Sequence, residues 1–221
     1  MKSENGKMKT ESTCHSELKQ VQQRMCLVSE SRTPEVRFKG FSEEWEEKKY
    51  AETFDTSVSN NTLSRAELTT EKTSTQNVHY GDILIKYNTI LNVKNEDIPF
   101  IPEDIKIDSK NLLKNGDIIF ADTAEDETCG KAIEINNIDD KKLVAGLHTF
   151  VARPKTKFEE QYLGYFVNSP AYHNQLLPFM QGTKVTSISK TIIQKTWIKF
   201  PSPSEQTKIG ALFSHIDSLI A

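Results

Sequence analysis

Asn115-Gly116-Asp117-Ile118-Ile119-Phe120-Ala121 sets a tight-turn pair directly before an apolar, β-branched run. Asn-Gly accepts the positive φ values of a short turn, and the run that follows predicts a buried strand. Tyr80-Gly81-Asp82-Ile83-Leu84-Ile85, continuing into Lys86 and Tyr87, is nearly a copy. By the same reasoning it predicts a second strand over residues 82–87. Outward from these two, residues 131–135 and 143–152 add two further strand candidates. Residues 158–179 change period: Tyr162, Leu163, Phe166, Val167, Leu176 and Leu177 fall at near-helical spacing, interrupted by Ser169-Pro170. Proline removes a backbone donor and clashes with the preceding turn, so the pattern predicts a helix, a break and a second helix. Residues 185–188 and 196–200 read as short strands around a helical turn capped by Ser189. Together these give an α+β fold: a single domain of mixed strands and helices.

The flanks read differently. Residues 1–33 are rich in Ser, Thr, Glu, Lys and Gln, with a weak apolar pattern at Leu18, Val21, Met25 and Leu27. They predict a disordered or weakly helical leader. Val36, Phe38, Phe41 and Trp45 bring in bulky apolar groups, so the folded domain is expected over residues 34–202. Ser202-Pro203-Ser204-Glu205 then places a capping serine, a proline at the first helical position and a glutamate three residues after the cap. Behind it Ile209, Leu212, Phe213, Ile216, Leu219 and Ile220 recur at helical spacing, which predicts an amphipathic helix over 203–221 with an apolar stripe offered for assembly.

Composition narrows the class. Of 221 residues, 36% are hydrophobic and 27% charged, the balance of a soluble globular chain. No window approaches the ~18 apolar residues that a membrane helix needs, and no secretory signal is legible. Cys14, Cys26 and Cys129 share no CxxC spacing, which argues against a disulfide framework or zinc site and for a reducing cytoplasm. Asn60-Asn61-Thr62 matches a glycosylation acceptor, which means little in that compartment. The net charge of −3 is unevenly spread. Lys141, Lys142, Arg153, Lys155, Lys157, Lys184, Lys190, Lys195 and Lys199 face only Glu159 and Glu160 between residues 141 and 204. Such asymmetry suits a protein that offers one face to phosphates, although a charge run is also what a solvated surface shows.

Catalytic patterns are weak by comparison. Asn168-Ser169-Pro170-Ala171-Tyr172 loosely echoes an adenine-methyltransferase motif, but it lacks the second proline and any glycine-rich cofactor loop. Asp122, Glu125, Asp126 and Glu127 with Lys131 have the spacing of a solvated loop rather than a nuclease centre. His79, His148 and His173 are scattered without ligand spacing, and no phosphate-binding GxxxxGK[ST] loop is present. No metal site, cofactor site or catalytic residue is expected in this chain.

Binding patterns are stronger. Phosphates are held by Lys, Arg, hydroxyls and backbone amides, and base edges are read by Arg, Lys, Asn, Gln, Ser and Thr. Residues 181–190 supply Gln181, Thr183, Lys184, Thr186, Ser187, Ser189 and Lys190, with Gly182 permitting close backbone approach. Lys86, Tyr87, Asn88 and Thr89 form a second candidate set. Arg153 and Lys155 form a third, although Arg153 is equally placed to pair with Glu159 or Glu160. Trp45 and Trp197 read as core or helix-packing residues.

Three stretches resemble a known family. The first is Pro34-Glu35-Val36-Arg37-Phe38-Lys39-Gly40-Phe41 followed by Glu44-Trp45-Glu46-Glu47-Lys48-Lys49. The second pairs Gly146-Leu147-His148-Thr149-Phe150-Val151-Ala152-Arg153-Pro154 with residues 181–190. The third runs from Phe200-Pro201-Ser202-Pro203-Ser204-Glu205-Gln206 into the apolar stripe. In this order they resemble the specificity subunits of type I restriction–modification systems, over roughly residues 34–221. The resemblance implies a non-catalytic, cytoplasmic subunit that reads one half of a bipartite site in double-stranded DNA. It further implies modification (methyltransferase) and restriction (endonuclease/translocase) subunits as partners, which would bind S-adenosylmethionine, ATP and Mg²⁺. Family members carry two recognition domains where one is seen here, which implies a half subunit that pairs with a second copy or another half, or a truncated form. The alternative is a non-reading interaction protein that docks partners through its C-terminal stripe.

Overall fold

The structure is a computed structural model that describes Pro34 and residues 36–180 and 185–220, the side chain of Ile220 excepted. The leader over residues 1–33 lies outside the described residues. In chain order the elements are β1 (Glu46–Lys49), α1 (Tyr50–Thr53), β2 (Phe54–Asp55), β3 (Thr75–Val78), α2 (Tyr80–Ile85) and β4 (Ile90–Asn92). There follow β5 (Ile118–Ala121), β6 (Thr123–Ala124), β7 (Ala132–Asn136), β8 (Lys142–Ala145), β9 (Thr149–Pro154), α3 (Tyr162–Asn168) and α4 (Pro170–His173). The chain closes with β10 (Thr186–Ser187), α5 (Lys190–Ile193), β11 (Trp197–Phe200) and α6 (Pro203–Ile220).

The Asn115-Gly116 run supplies β5, the central strand of a five-stranded sheet ordered β2-β9-β5-β7-β4. β5 runs antiparallel to both β7 and β9, and β4 lies parallel to β7. Successive side chains of a strand point to opposite faces, and both faces here are covered. Ile118, Phe120, Ala132, Phe150 and Ala152 pack with Tyr50, Tyr162, Phe166 and Tyr172. Ile119, Ile133, Ile135 and Val151 pack with Ile83, Tyr87, Leu91 and Leu143 on the other side. Burial on both faces is the reason the run shows no polar alternation. Three two-stranded pairs, β1–β11, β3–β8 and β6–β10, flank the sheet.

Residues 82–87, expected to be a strand, instead begin inside α2. The His79 side chain accepts a hydrogen bond from the Gly81 amide (3.2 Å) and opens the helix. Ile83 and Tyr87 are buried four residues apart, while Ile85 between them is 89% exposed. A strand would have put all three on one face; one helical turn puts only the outer two together. Residues 143–152 also depart from expectation. They form two strands, β8 beside β3 and β9 in the main sheet, separated by a reversal at Gly146-Leu147-His148 where His148 has φ +54°. Trp45 meets Tyr162 edge-on beside the core, as expected. Trp197 does not enter the core: it lies 38% exposed on the β1–β11 ribbon, with the Lys49 ammonium over its ring.

Residues 131–135 form β7, and the 158–179 pattern breaks at Ser169 into α3 and α4. Glu134 projects from β7 into the apolar face and is buried. Its carboxylate accepts hydrogen bonds from the amides of Gln161 (2.6 Å) and Gly164 (2.8 Å), fixing the first turn of α3. Burial pushes its pKa up from 4.5 to about 7. Between those values the folded state holds a proton that the unfolded chain has released, so this contribution to stability falls as pH rises. At ~1.4 kcal/mol per pKa unit the loss is up to about 3 kcal/mol. The wild type is therefore expected to lose more stability than Glu134→Gln between pH 5 and pH 8 in denaturant unfolding. Parallel profiles for the two proteins would refute this.

α6 begins as expected at Pro203, but Glu205 is taken over by a distant partner. Arg37 binds its buried carboxylate through two hydrogen bonds of 2.8 and 2.7 Å, so the N-terminal segment clamps the base of the helix. Gln206 adds bonds to Pro201 O and from the Glu159 amide. Gly210 lies so near the preceding turn that a Cβ there would stand 2.7 Å from Glu160 O. Farther along, Phe213 meets the Tyr165 ring and Tyr165 donates its hydroxyl hydrogen to Asp217 (2.7 Å).

Candidate nucleic-acid interface

β5 ends where β7 and β9 begin, and the candidate binding residues gather at this end of the sheet. Ser187 pairs with Thr123 in the β6–β10 ladder, and the Ile188 amide bonds Asp122 O (3.0 Å). The Asp122 amide bonds His148 O (3.0 Å) in turn. The fold thus joins the stretch around residues 146–154 to the stretch around 185–190. Ser187, Ser189 and Lys190 are exposed there, and the Ser189 hydroxyl caps α5 by accepting from the Ile192 amide. Lys131, next to β5 through the Ala121 amide, places its ammonium on Leu84 O (3.0 Å) and Tyr87 O (3.4 Å) at the end of α2. The end of α2 thus lies near that end of the sheet, but Lys86 turns its ammonium to Asp97 O and Asn88 lines a cavity with Ile90, Asn136, Tyr165 and Asp217 beside α6; both are exposed, with Thr89 half-buried. Gln181, Gly182, Thr183 and Lys184 lie outside the described residues.

Tyr87 and Arg153 are taken up by the interior of the fold. Tyr87 is buried with its hydroxyl enclosed, and burial pushes its pKa well up. Arg153 sits at the far end of β9, where its guanidinium grips Asp117 through bonds of 2.8 and 2.7 Å and also donates to Leu112 O (2.9 Å). Neither Glu159 nor Glu160 is its partner, because the β5–β9 register sets Ile118 against Ala152 and brings Asp117 alongside. Lys155 is exposed at that same far end, with its ammonium on Ala51 O (2.7 Å). The third candidate set is thereby separated from the other two by the length of a six-residue strand, about 17 Å.

Residues not singled out as binding candidates join the polar end instead. Tyr80 lies edge-on to the His148 ring (5.2 Å) and tilted on His79 (4.6 Å). Asn60 and Asn61 bind Gly146 O and Ala145 O at the β8–β9 reversal. A glycine inside the long apolar run at 143–152 was the legible sign of that reversal. The residues weighed for catalysis have structural roles: Asn168 holds both backbone groups of Ala132, and Tyr172 is buried against Thr196. Asp126 caps its own turn through Thr128. Among the described residues no group of three His, Cys, Asp or Glu is placed to hold a metal ion, and no helix is long and apolar enough to cross a membrane.

Comparison with known proteins identifies the class. The chain belongs to the family of the type I restriction modification DNA specificity domain, whose model matches residues 42–221. Its fold is similar to that of the HsdS subunit from Thermoanaerobacter tengcongensis, at 14% identity and a TM-score of 0.53, covering 96% of this chain and 47% of that one. It is similar also to the type I restriction-modification S subunit from M. genitalium, at 14% identity and a TM-score of 0.55, covering 84% of this chain and 42% of the other. A chain from a structure reported for complex assembly and conformational transition of the type I R-M system matches at 15% identity and a TM-score of 0.53, over 96% and 48%. The present chain thus spans under half the length of these structures. No curated protein sequence matches it.

Proposed function

We propose that this chain reads one half of a bipartite site in double-stranded DNA and directs the modification and restriction subunits of a type I system to it. The observation that supports this most is that the β6–β10 ladder sets Ser187, followed by Ser189 and Lys190, at the end of the central sheet where Lys131 reaches the end of α2, the segment that leads into Lys86, Asn88 and Thr89. Hydroxyls, amides and ammonium groups of this kind hold phosphates and read base edges. Lys155 on the far end then reaches at most flanking phosphate, and Gln181, Gly182, Thr183 and Lys184 join the proposed contacts on their chemistry alone. The chain itself performs no chemistry; S-adenosylmethionine, ATP and Mg²⁺ belong to its partners in the cytoplasm. One half-site gives limited affinity, so tight binding needs a second reading domain supplied by another chain. Leu212, Phe213, Ile216, Leu219 and Ile220 on α6 form the assembly interface for that chain or for the modification subunit, whereas Ile209, expected in the same stripe, packs against the domain core.

Co-expression with a type I modification subunit, followed by sequencing of methylated bases, tests the reading. A bipartite palindrome is expected if two copies assemble, and an asymmetric bipartite site if another half subunit joins. A genome without sequence-specific methylation, despite a purified complex, would leave only the docking alternative.

A further inference from the structure

We propose that His148 is a base-reading residue: its Nε2 accepts a hydrogen bond from the exocyclic amine of an adenine or cytosine, and Asp122 and Thr123 position the ring. The inference rests on the reading of the chain as a DNA-recognition subunit and names the contact by which it reads.

The reversal between β8 and β9 carries His148 out of the sheet in the left-handed region, φ +54°, with its side chain 47% exposed. Exposure alone would leave the ring free to turn, but it is held on two sides. Nδ1 faces Asp122 Oδ1 (3.3 Å) and Thr123 Oγ1 (3.4 Å). The Tyr80 ring stands edge-on at 5.2 Å and 77°, itself braced by His79, which is fixed as the cap of α2. A non-glycine residue in this backbone region with an immobilised polar side chain is the kind of local constraint found at ligand-contacting positions.

The partners decide which nitrogen carries the proton. Thr123 donates its hydroxyl hydrogen to Asp122 Oδ1 (2.7 Å), so its oxygen can only accept from the ring. A carboxylate also only accepts. Both neighbours therefore favour a hydrogen on Nδ1, and in the tautomer that carries it there Nε2 is the acceptor. Nε2 has no hydrogen-bond partner among the described residues. In the major groove, adenine N6 and cytosine N4 donate, whereas guanine O6 and N7 and thymine O4 accept. A fixed acceptor there favours A or C over G or T. Ser187 lies beside Thr123 in the neighbouring strand, and Ser189 and Lys190 follow it, so phosphate-holding groups flank the ring.

The test is a selection with the full chain, alone and bound to its modification subunit, from a pool of duplexes with a randomised core. Wild type is compared with His148→Gly and Asp122→Ala. Glycine adopts positive φ without strain, so His148→Gly removes the ring and keeps the turn; matching melting temperatures verify this. The wild type is expected to enrich A or C at one position. Both variants should lose roughly tenfold of that preference while the remaining positions keep theirs. Unaltered preference in His148→Gly overturns the proposal, as does equal weakening at every position, the mark of a phosphate contact or a purely structural role. A wild-type selection without preference anywhere overturns the recognition reading itself, and the proposal with it.

Discussion

Replacing Asp117 by alanine is expected to lower stability by about 3 kcal/mol, the low end of the cost of breaking a buried ion pair because Arg153 keeps some exposure. Asp117 is 1% exposed and accepts both hydrogen bonds of the Arg153 fork together with the Lys114 amide (2.8 Å). Without it, one guanidinium stays half-buried against a single carbonyl, that of Leu112, and the turn that starts β5 loses its tie. Burial of a charge without its partner dominates this effect, so Asp117→Ala combined with Arg153→Met should recover much of the loss. Denaturant unfolding of the single and double variants measures it. DNA affinity of the folded Arg153→Met protein should equal that of the wild type. A folded Arg153→Met protein that has lost sequence discrimination would restore Arg153 to the reading surface.

The second large effect concerns assembly. Ile216→Asp with Leu219→Asp should weaken association with the partner chain by more than about 100-fold while the melting temperature of the isolated chain holds. Burying each of these side chains is worth ~1.5–3 kcal/mol before the costs of association. The seat of α6 lies elsewhere, in Arg37–Glu205, Gln206, Gly210 and the Tyr165 contacts with Phe213 and Asp217. Leu212, Phe213, Ile216 and Leu219 all stay exposed, Leu219 at 73%, and charging the last two disturbs no buried contact. Sedimentation of the chain with and without its modification subunit, together with a thermal melt, gives both quantities. Persistent association alongside an unfolded domain would make α6 a core element and end the assembly assignment.

Much of the fold was legible. Long or strongly punctuated patterns carried it: the proline break at Ser169-Pro170, the serine cap at Ser189, the helix start at Pro203, the Asn-Gly turn before β5, and the apolar period of α6. Short apolar runs carried less. Gly81-Asp82-Ile83-Leu84-Ile85 and Gly116-Asp117-Ile118-Ile119-Phe120 are nearly the same string, yet one is a helix and the other a strand. Five residues hold no period long enough to separate the two. The choice came from the surroundings: the His79 cap, and packing that turns Ile83 and Tyr87 inward and leaves Ile85 in solvent.

The candidate site divides in the same way. Composition alone marked Ser187, Ser189, Lys190, Lys86 and Asn88 as groups able to meet DNA, because hydroxyls, amides and ammonium groups advertise themselves in any sequence. Where each of them stands came only with the β6–β10 ladder, the Lys131 contact to the end of α2, and the bond from Lys86 to Asp97 O. Arg153 had Glu159 and Glu160 as its nearest acids in the chain, but strand register gave it Asp117, thirty-six residues away. His148 had no ligand-like spacing and its role depends on Asp122, Thr123 and Tyr80, which converge from three separate segments. The sequence by itself determined the α+β class, the break between α3 and α4, the start of α6 and the kinds of groups available for DNA. Tertiary structure decided which of those groups are free and which are held, because ion pairing and sheet register join residues whose separation along the chain carries no signal.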